Sequence, residues 1–323
     1  MQKAFLIAIG AGALSAIASV AIISGMPLGI LLVYLAPLPL MVSGLALGVP
    51  AATVAGGSGI VVAVIVGGAL AGGIYGVLHA LPAWLVVRQA LINRTDEAGN
   101  RRWFPEGHII ASLSVLALSI LAGFGLIYIY GQGGDQVGAQ VGGTIEASIT
   151  AALNQSLSAL IPTLGDVERA DAVAILAAYL PGTVGSSWVA MLIINALLAQ
   201  NILVRAKKNI RPPLDTSGLD VPNWVSWALV LAAGFALLGT GDIGYIARNS
   251  TMILATPFFF LGLAVAHFMA KRTTFPGTTL VAVYAAMLIT RWALLGVTGL
   301  GVIEQWVGIR RHFQGPENGQ EDK

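Results

Sequence analysis

The stretch AFLIAIGAGALSAIASVAIIS, residues 4–24, opens a region without Asp, Glu, Lys or Arg that runs to Val87 and decides the fold. The region holds four segments of the roughly 20 apolar residues that a helix needs to cross a bilayer. Over the whole chain 56% of the residues are hydrophobic and 10% are charged, whereas soluble domains carry about 25% charged residues. We therefore predict an integral membrane protein rather than a soluble one.

Apolar segments of bilayer length recur along the whole chain, and they predict the fold class. These runs are rich in Leu, Ala and Gly and do not alternate as the strands of a membrane β-barrel do. Only helices then satisfy their own backbone hydrogen bonds in lipid, so we predict an all-α polytopic bundle of about nine crossings (eight to ten) in one membrane domain. The predicted crossings are 4–24, 28–47, 51–71 and 73–91 before a loop at 92–108, then 109–130, and, after an excursion at 131–182, 183–204, 221–240, 251–270 and 278–300, with a polar tail at 301–323.

Three loops concentrate Lys and Arg, which marks them and the N-terminus as cytoplasmic by the positive-inside rule. One crossing after Arg272 would leave Arg310 and Arg311 outside, whereas two crossings would have to share about 36 residues and each be short. Both alternatives for the C-terminus stay open at this stage. The loop cations are Arg88, Arg94, Arg101 and Arg102, then Arg205, Lys207, Lys208 and Arg211, and finally Lys271 and Arg272.

The excursion at 131–182 is predicted to be external and to carry two amphipathic helices. The first places its apolar residues on one stripe, and the second runs over 166–180 with Glu168 and Asp171 in its first turn, where the helix dipole favours acids. Together they predict a cap on the outer membrane face. The stripe of the first helix consists of Ile145, Ile149, Leu153, Leu157 and Leu160.

Several function classes are excluded by what the sequence lacks. There is no Cys, the four His residues are far apart, and the net charge is only +2. A metal site, thiolate chemistry and nucleic-acid binding are therefore not expected. The chain has no phosphate-binding loop and no hydrolase signature. We expect no cofactor and no catalytic residues, and any energy for transport would come from elsewhere.

Polar and helix-breaking residues inside apolar segments are the candidates for ligand binding. A helix broken at Pro37 and Pro39 could offer carbonyls to a ligand, or it could be a kink filled by neighbouring side chains. Amides inside a membrane either contact a ligand or hydrogen-bond to other helices. The full candidate set is Pro37, Pro39, His79, Asn195, Gln200, Asn249 and Arg291.

Arg291 is the clearest anomaly of this set, because it falls halfway through the predicted crossing 278–300. A charge there is costly unless it is paired or hydrated. Its partner would be Glu304, Asp242 or a bound anion, or the side chain would reach water by snorkelling. Asn249, at the start of the predicted crossing 251–270, could instead be a helix cap.

Small residues recur at four-residue spacing in two places and predict close helix packing. The packing partner is either another helix of the same chain or a second protein, including a second copy of this chain. The first stripe is Ala4, Ala8, Gly12 and Ala16, and the second is Gly68, Gly72 and Gly76.

Several stretches resemble the bacterial YybS-like family of multi-spanning membrane proteins. They are APLPLMVSGLALG at 36–48, LPG at 180–182, NALLAQ at 195–200, RPP at 211–213, PNW at 222–224, FFFLGLAVAH at 258–267 after Asn249, and GLGVIEQWVGIRR at 299–311. That family is similar in outline to the substrate-binding S components of energy-coupling-factor transporters. The resemblance implies small-molecule binding or transport in the bacterial cytoplasmic membrane. It implies no substrate and no catalytic residue, and where members often carry an Asp this chain has Glu304 and Gln305.

The resulting hypothesis is a membrane subunit that binds or moves a small or lipid-like molecule without an ATPase of its own. The alternative is a non-transporting scaffold or assembly factor that organises other membrane proteins through its small-residue faces. A lipid-modifying enzyme is a third reading, and the scarcity of acids and bases within the membrane segments argues against it.

Overall fold

The computed structural model describes residues 2–21, 29–131, 145–161, 165–213 and 218–314, without the side chains of 124–131, 160 and 314. Almost all of these residues are helical. The helices are α1 (Gln2–Val20), α2 (Gly29–Leu35), α3 (Pro37–Leu47), α4 (Val49–Tyr75), α5 (Leu81–Ala90), α6 (Glu106–Gly131), α7 (Ile145–Leu160), α8 (Asp166–Arg205), α9 (Asn223–Leu238), α10 (Gly241–Ala270), α11 (Pro276–Ile289), α12 (Arg291–Val307) and α13 (Ile309–Gln314). A π-helical turn, Gly76–Ala80, joins α4 to α5, and the strands β1 (Asn93–Thr95) and β2 (Arg101–Trp103) form a small antiparallel hairpin.

The predicted all-α membrane architecture is confirmed in outline. Within the described residues, six helices are long and apolar enough to cross a membrane, and α9 and α11 are apolar but shorter. The number of about nine crossings stays a prediction. The six are Gln2–Val20, Gly29–Leu47, Val49–Ala90, Glu106–Gly123, Asp166–Arg205 and Gly241–Ala270.

The chain divides into two compact units, which are described separately. Unit 1 comprises Met1–Leu113 and Val189–Asp220, and unit 2 comprises Ser114–Trp188 and Val221–Lys323. The long helices α6 and α8 each contribute residues to both units.

A reversal at Gly68 divides α4 into two parts that fold back on each other as a tight antiparallel hairpin in unit 1. Gly68 has φ 80° and ψ 178°, which is not helical, and a residue with a side chain would be strained there. Beyond the reversal, Gly72 packs on Val64 and Tyr75 packs on Gly59. The turn between the predicted crossings 51–71 and 73–91 thus lies at Gly68, inside the first of them.

A chain of buried hydrogen bonds ties α1 to this hairpin and to α3. The Tyr75 hydroxyl donates to Ser15 Oγ at 2.8 Å, and Ser15 Oγ donates to the Ala36 carbonyl at 2.5 Å. Ser15 and Ala36 are fully buried, and Tyr75 nearly so. The three elements are thereby held in one register without any charged group.

Two of the predicted cytoplasmic loops meet at one end of unit 1. The buried Arg211 guanidinium forms an ion pair with Glu106, donates to the Ala90 carbonyl at 3.2 Å and lies 6.0 Å from the centre of the Trp103 ring. In the β1–β2 hairpin the Asn100 N–H donates to Asp96 at 2.8 Å, and this bond holds the pKa of Asp96 below its usual range. The contacts place the 92–108 loop and the 206–213 loop on the same side, as the charge pattern predicts.

The predicted cap is only partly a separate element. Helix α7 is separate, and the Ile145 N–H donates to Asp242 Oδ1 at 2.9 Å, but its place on a membrane face stays a prediction. The second predicted cap helix, 166–180, is wrong as a separate element, because α8 runs unbroken from Asp166 to Arg205 with Pro181 inside it. Because α8, with 40 residues, is about twice as long as a crossing needs, the predicted start of that crossing at residue 183 stays a prediction.

The end of unit 2 is a pair of short helices rather than one crossing at 278–300. Thr290 is extended, with φ −136° and ψ 131°, and separates α11 from α12. Helix α12 then crosses α10 where Gly262 and Gly301 meet, so closely that a Cβ on either would overlap the other helix's backbone. Arg272, two residues after the end of α10, donates to the Phe313 carbonyl at 2.8 Å.

This arrangement supports one of the two alternatives for the C-terminus. Because Arg272 contacts Phe313, the cations Arg310 and Arg311 lie at the same end of unit 2 as Lys271 and Arg272. Two short helices after Arg272 therefore bring all four cations to one side, as the positive-inside rule requires.

Candidate functional site

The break at Pro37 is filled by side chains of unit 1. Pro37 begins α3, and Pro39 lies in its first turn. The carbonyl of Tyr34 accepts from Asn195 Nδ2 at 2.7 Å, and the carbonyl of Ala36 accepts from Ser15. Of the two readings of this break, the structure therefore matches the kink stabilised by its neighbours.

Asn195 and Gln200, both on α8, are engaged in internal hydrogen bonds. Asn195 Nδ2 also donates to the Met191 carbonyl at 2.8 Å, while its Oδ1 is buried without a donor in the described part of the chain. Gln200 Nε2 donates to the carbonyls of Arg211 at 2.9 Å and Pro212 at 3.0 Å. Gln200 thus anchors the loop after α8, and its predicted role in ligand binding stays a prediction.

His79 lies in the π-helical turn and is buried, with 7% of its surface exposed. Its ring centre is 5.7 Å from that of Tyr75. The Nδ1 atom has no hydrogen-bond partner among the described residues. A ligand role for His79 stays a prediction.

Asn249 is not at the start of a helix, because α10 begins at Gly241; the predicted cap is wrong. Its Oδ1 accepts from the Gly182 N–H at 2.7 Å, and its Nδ2 donates to the carbonyls of Ala178 at 3.2 Å and Tyr245 at 2.9 Å. The amide is inserted between Ala178 and Gly182, where Pro181 disturbs the helix. Asn249 therefore repairs the kink in α8.

Arg291 is the first residue of α12 and is exposed, so its predicted place in the middle of a crossing helix is wrong. The suggested partners are engaged elsewhere. Glu304 forms a buried ion pair with Arg310 at 2.7 Å, and Asp242 accepts from the Ile145 N–H. The only remaining argument for a functional role of Arg291 is that it interrupts an apolar run in the sequence.

This placement yields a prediction for Arg291. Because the side chain is exposed, Arg291→Ala and Arg291→Lys are both expected to change the free energy of unfolding by less than about 0.5 kcal/mol. Arg310→Ala is the matched comparison, since it removes the cation from the buried Glu304 carboxylate, which keeps only the N–H of residue 310, and should cost about 3–5 kcal/mol. Thermal unfolding in detergent measures all three, and an Arg291→Ala loss as large as that of Arg310→Ala would contradict the placement.

Both small-residue stripes are engaged within unit 1. Ala8, Gly12 and Ala16 are buried, and a Cβ on Gly12 would overlap Ala55 and Ser58 of α4. In the second stripe Gly72 packs within the hairpin, and Gly76 approaches Ile60. This is the intramolecular alternative; an oligomer or partner through Ala4 or another surface stays a prediction.

A cleft of about 380 Å³ in unit 2 was not foreseen from the sequence. It is lined by Asn223 and Ser226, from the start of α9, together with Trp227 and Trp306. Trp306 is near the end of α12, and Gln305 beside it donates from Nε2 to the Val221 carbonyl at 2.7 Å and to Asn223 Oδ1 at 3.1 Å. These bonds join the start of α9 to the end of α12 and form the cleft.

The cleft combines large apolar surfaces with unused polar atoms. Trp227 and Trp306 are 65% and 64% exposed. Ser226 is 6% exposed, and its Oγ has no hydrogen-bond partner in the described chain. Exposed indoles at helix ends are typical of the membrane–water interface. The sequence signal for this cleft was therefore the occurrence of Trp224, Trp227 and Trp306 near helix ends.

The sequence matches one known family of membrane proteins. A family model described as a predicted membrane protein, DUF2232, matches residues 13–304, which is most of the chain. This chain belongs to the DUF2232 family. No curated protein and no solved structure matches it.

Membership in DUF2232 agrees with a multi-pass membrane protein. The resemblance to YybS-like proteins and to S components stays a prediction, as do the bacterial cytoplasmic membrane and the cytoplasmic N-terminus. Among the described residues of this DUF2232 protein, no group of three or more His, Asp or Glu side chains could hold a metal ion.

Proposed function

We propose that this DUF2232 protein binds a lipid-like molecule in the cleft between α9 and α12 and acts as a binding or transport subunit without an ATPase. One observation carries the proposal. The cleft places two exposed indole rings next to the buried Ser226 hydroxyl, which has no partner in the described part of the chain. A buried hydroxyl without a hydrogen bond is costly, so an occupant that pairs with it would stabilise the site.

The position of the cleft supports an amphiphilic ligand. It lies where α9 begins and α12 ends, near the Glu304–Arg310 ion pair at the cation-rich end of unit 2. A molecule held there would keep its polar part near water and its chains in hydrocarbon. The proposal needs binding only and assigns no catalytic group.

None of the candidates from the sequence is among the described residues that line the cleft. Asn195, Gln200 and Asn249 use their amide N–H groups in internal bonds, and Pro37 is part of a filled kink. The proposal therefore keeps the ligand class that the sequence suggests and moves the site to unit 2.

The test is a ligand-dependent shift in thermal stability of the detergent-purified protein. We expect phosphatidylglycerol at a hundred times its Kd to stabilise the wild type by about 2.7 kcal/mol. Trp306→Ala removes one wall of the cleft and should abolish most of this shift. Trp292→Ala is the matched control, because Trp292 lies at the other end of α12 and is 75% exposed.

Equal shifts in the two variants would contradict binding at the cleft and indicate non-specific solvation by lipid. Absence of any shift, together with co-purification of a fixed membrane partner, would instead support the scaffold alternative.

A further inference from the structure

The described residues that line the cleft carry no charge. Asn223, Ser226, Trp227 and Trp306 are all neutral at every physiological pH. A site built to hold a phosphate would be expected to offer Arg or Lys, and one built for an ammonium group would be expected to offer a carboxylate. The cleft is therefore suited to an uncharged part of its occupant.

The unpaired polar groups of the four lining residues are mainly donors, and the adjacent Gln305 Oε1 is a buried acceptor without a partner among the described residues. Gln305 Nε2 is fixed by the Val221 carbonyl, which can only accept, so Asn223 must turn its Oδ1 toward Gln305 and keep its NH2 group free. An indole N–H donates and never accepts, and neither Trp227 nor Trp306 has a hydrogen-bond partner in the residues that the structure describes. Ser226 adds a hydroxyl that can donate.

An occupant that matches this surface must bring uncharged acceptors and an apolar body. Carboxylic ester carbonyls fit, because each accepts hydrogen bonds and carries no charge. In a membrane lipid these esters lie between the head group and the chains, directly below the head-group level at which Trp rings are enriched.

We propose that the cleft recognises the ester-linked glycerol region of a diacyl lipid and reads its ester carbonyls rather than its head group. This inference rests on the proposed lipid-binding function and adds the class of ligand. Asn223, Ser226 and the two indoles donate to the ester oxygens, while the ring faces of Trp227 and Trp306 contact the first methylene groups of the chains.

The experiment compares lipids that differ only in linkage. Detergent-purified full-length protein is titrated with diester and diether phosphatidylglycerol of identical chain length, and retained lipid is measured by native mass spectrometry. We expect the diether lipid to bind about tenfold more weakly, because donors that the bound lipid covers stay unpaired. Diester phosphatidylcholine should bind within about threefold of diester phosphatidylglycerol, since a head group that makes no contact contributes little.

Trp306→Phe separates the hydrogen bond from the aromatic surface. The variant keeps a ring but lacks the N–H, so the preference for the ester over the ether should fall while binding of the ether lipid stays unchanged. Ser226→Ala should act in the same direction. Trp292→Phe, at the opposite end of the helix, should leave the preference as in the wild type.

Three outcomes would overturn the inference. Equal binding of ester and ether lipids, or binding confined to the anionic head group, would refute ester recognition and leave lipid binding intact. Competition by triacetylglycerol at equal concentration would identify a water-soluble ester as the occupant instead of a lipid. Retention of neither lipid would refute the proposed function itself.

Discussion

Gly301→Val is expected to cause one of the two largest losses of stability in this chain. Gly301 lies where α12 crosses α10, and even a Cβ would overlap the Phe258 carbonyl oxygen and approach the Gly262 N–H. The obstacle is backbone on a long helix, so it cannot rotate away as a side chain could. We expect a cost of about 3 kcal/mol or more, seen as a lower unfolding temperature or as loss of monodisperse protein in detergent.

The matched control is Gly299→Ala on the same helix. A Cβ on Gly299 would meet nothing within 4 Å, and alanine is the better helix former by about 1 kcal/mol. This variant should be as stable as the wild type or more so. If Gly301→Val unfolds at the same temperature as Gly299→Ala, then α10 and α12 do not approach each other as the structure shows.

The sequence was sufficient for the class of fold because lipid imposes simple requirements. The uncharged run to Val87 and the cation-rich loops around Arg94 and Arg211 predicted buried helices and a shared side for those loops. Both follow from the cost of charge and of unpaired backbone in hydrocarbon. No knowledge of tertiary contacts was needed.

The errors arose where contacts between distant residues decide the structure. A helix with Pro181 inside it would be expected to end there, but Asn249 and Tyr245 compensate for the missing hydrogen bonds across 67 and 68 residues of sequence. Likewise, the run from 278 to 300 reads as one apolar segment, and only the extended Thr290 divides it. The compensation at Pro181 has no local signal, whereas Arg291, directly after Thr290, was a local signal that was interpreted as a possible site and not as a break.

The cleft was missed for a related reason. Its walls come from the start of α9 and from Trp306, which lies about 80 residues later in the chain. Ser226 becomes a candidate for ligand binding only when these two parts of the chain are known to lie together. The partners of Asn195 and Asn249 are equally distant in the sequence. Until such partners are known, an Asn in a membrane helix is interpreted as free to bind a ligand.

Asn249→Ala is the second change expected to have a large effect, because it undoes the repair of the α8 kink. Pro181 has no N–H, so the Ala177 carbonyl lacks its usual partner and accepts instead from the Tyr245 hydroxyl at 2.9 Å. One residue further on, the Asn249 amide joins the Gly182 N–H to the Ala178 carbonyl. Its removal leaves the buried Gly182 N–H and the part-buried Ala178 carbonyl without this partner, at a cost of roughly 2–4 kcal/mol, measurable by thermal unfolding.

A double-mutant cycle with Pro181→Ala tests this mechanism apart from the mere loss of a buried side chain. Alanine restores the N–H at position 181 and lets the helix straighten, so that the Gly182 N–H can bond directly to the Ala178 carbonyl. Asn249→Ala should then cost about 1–2 kcal/mol less than in the wild type. Tyr245→Phe, which removes a single bond, should cost only about 1 kcal/mol. Strictly additive losses for Pro181→Ala and Asn249→Ala would show that Asn249 stabilises α10 by itself and does not bridge the kink.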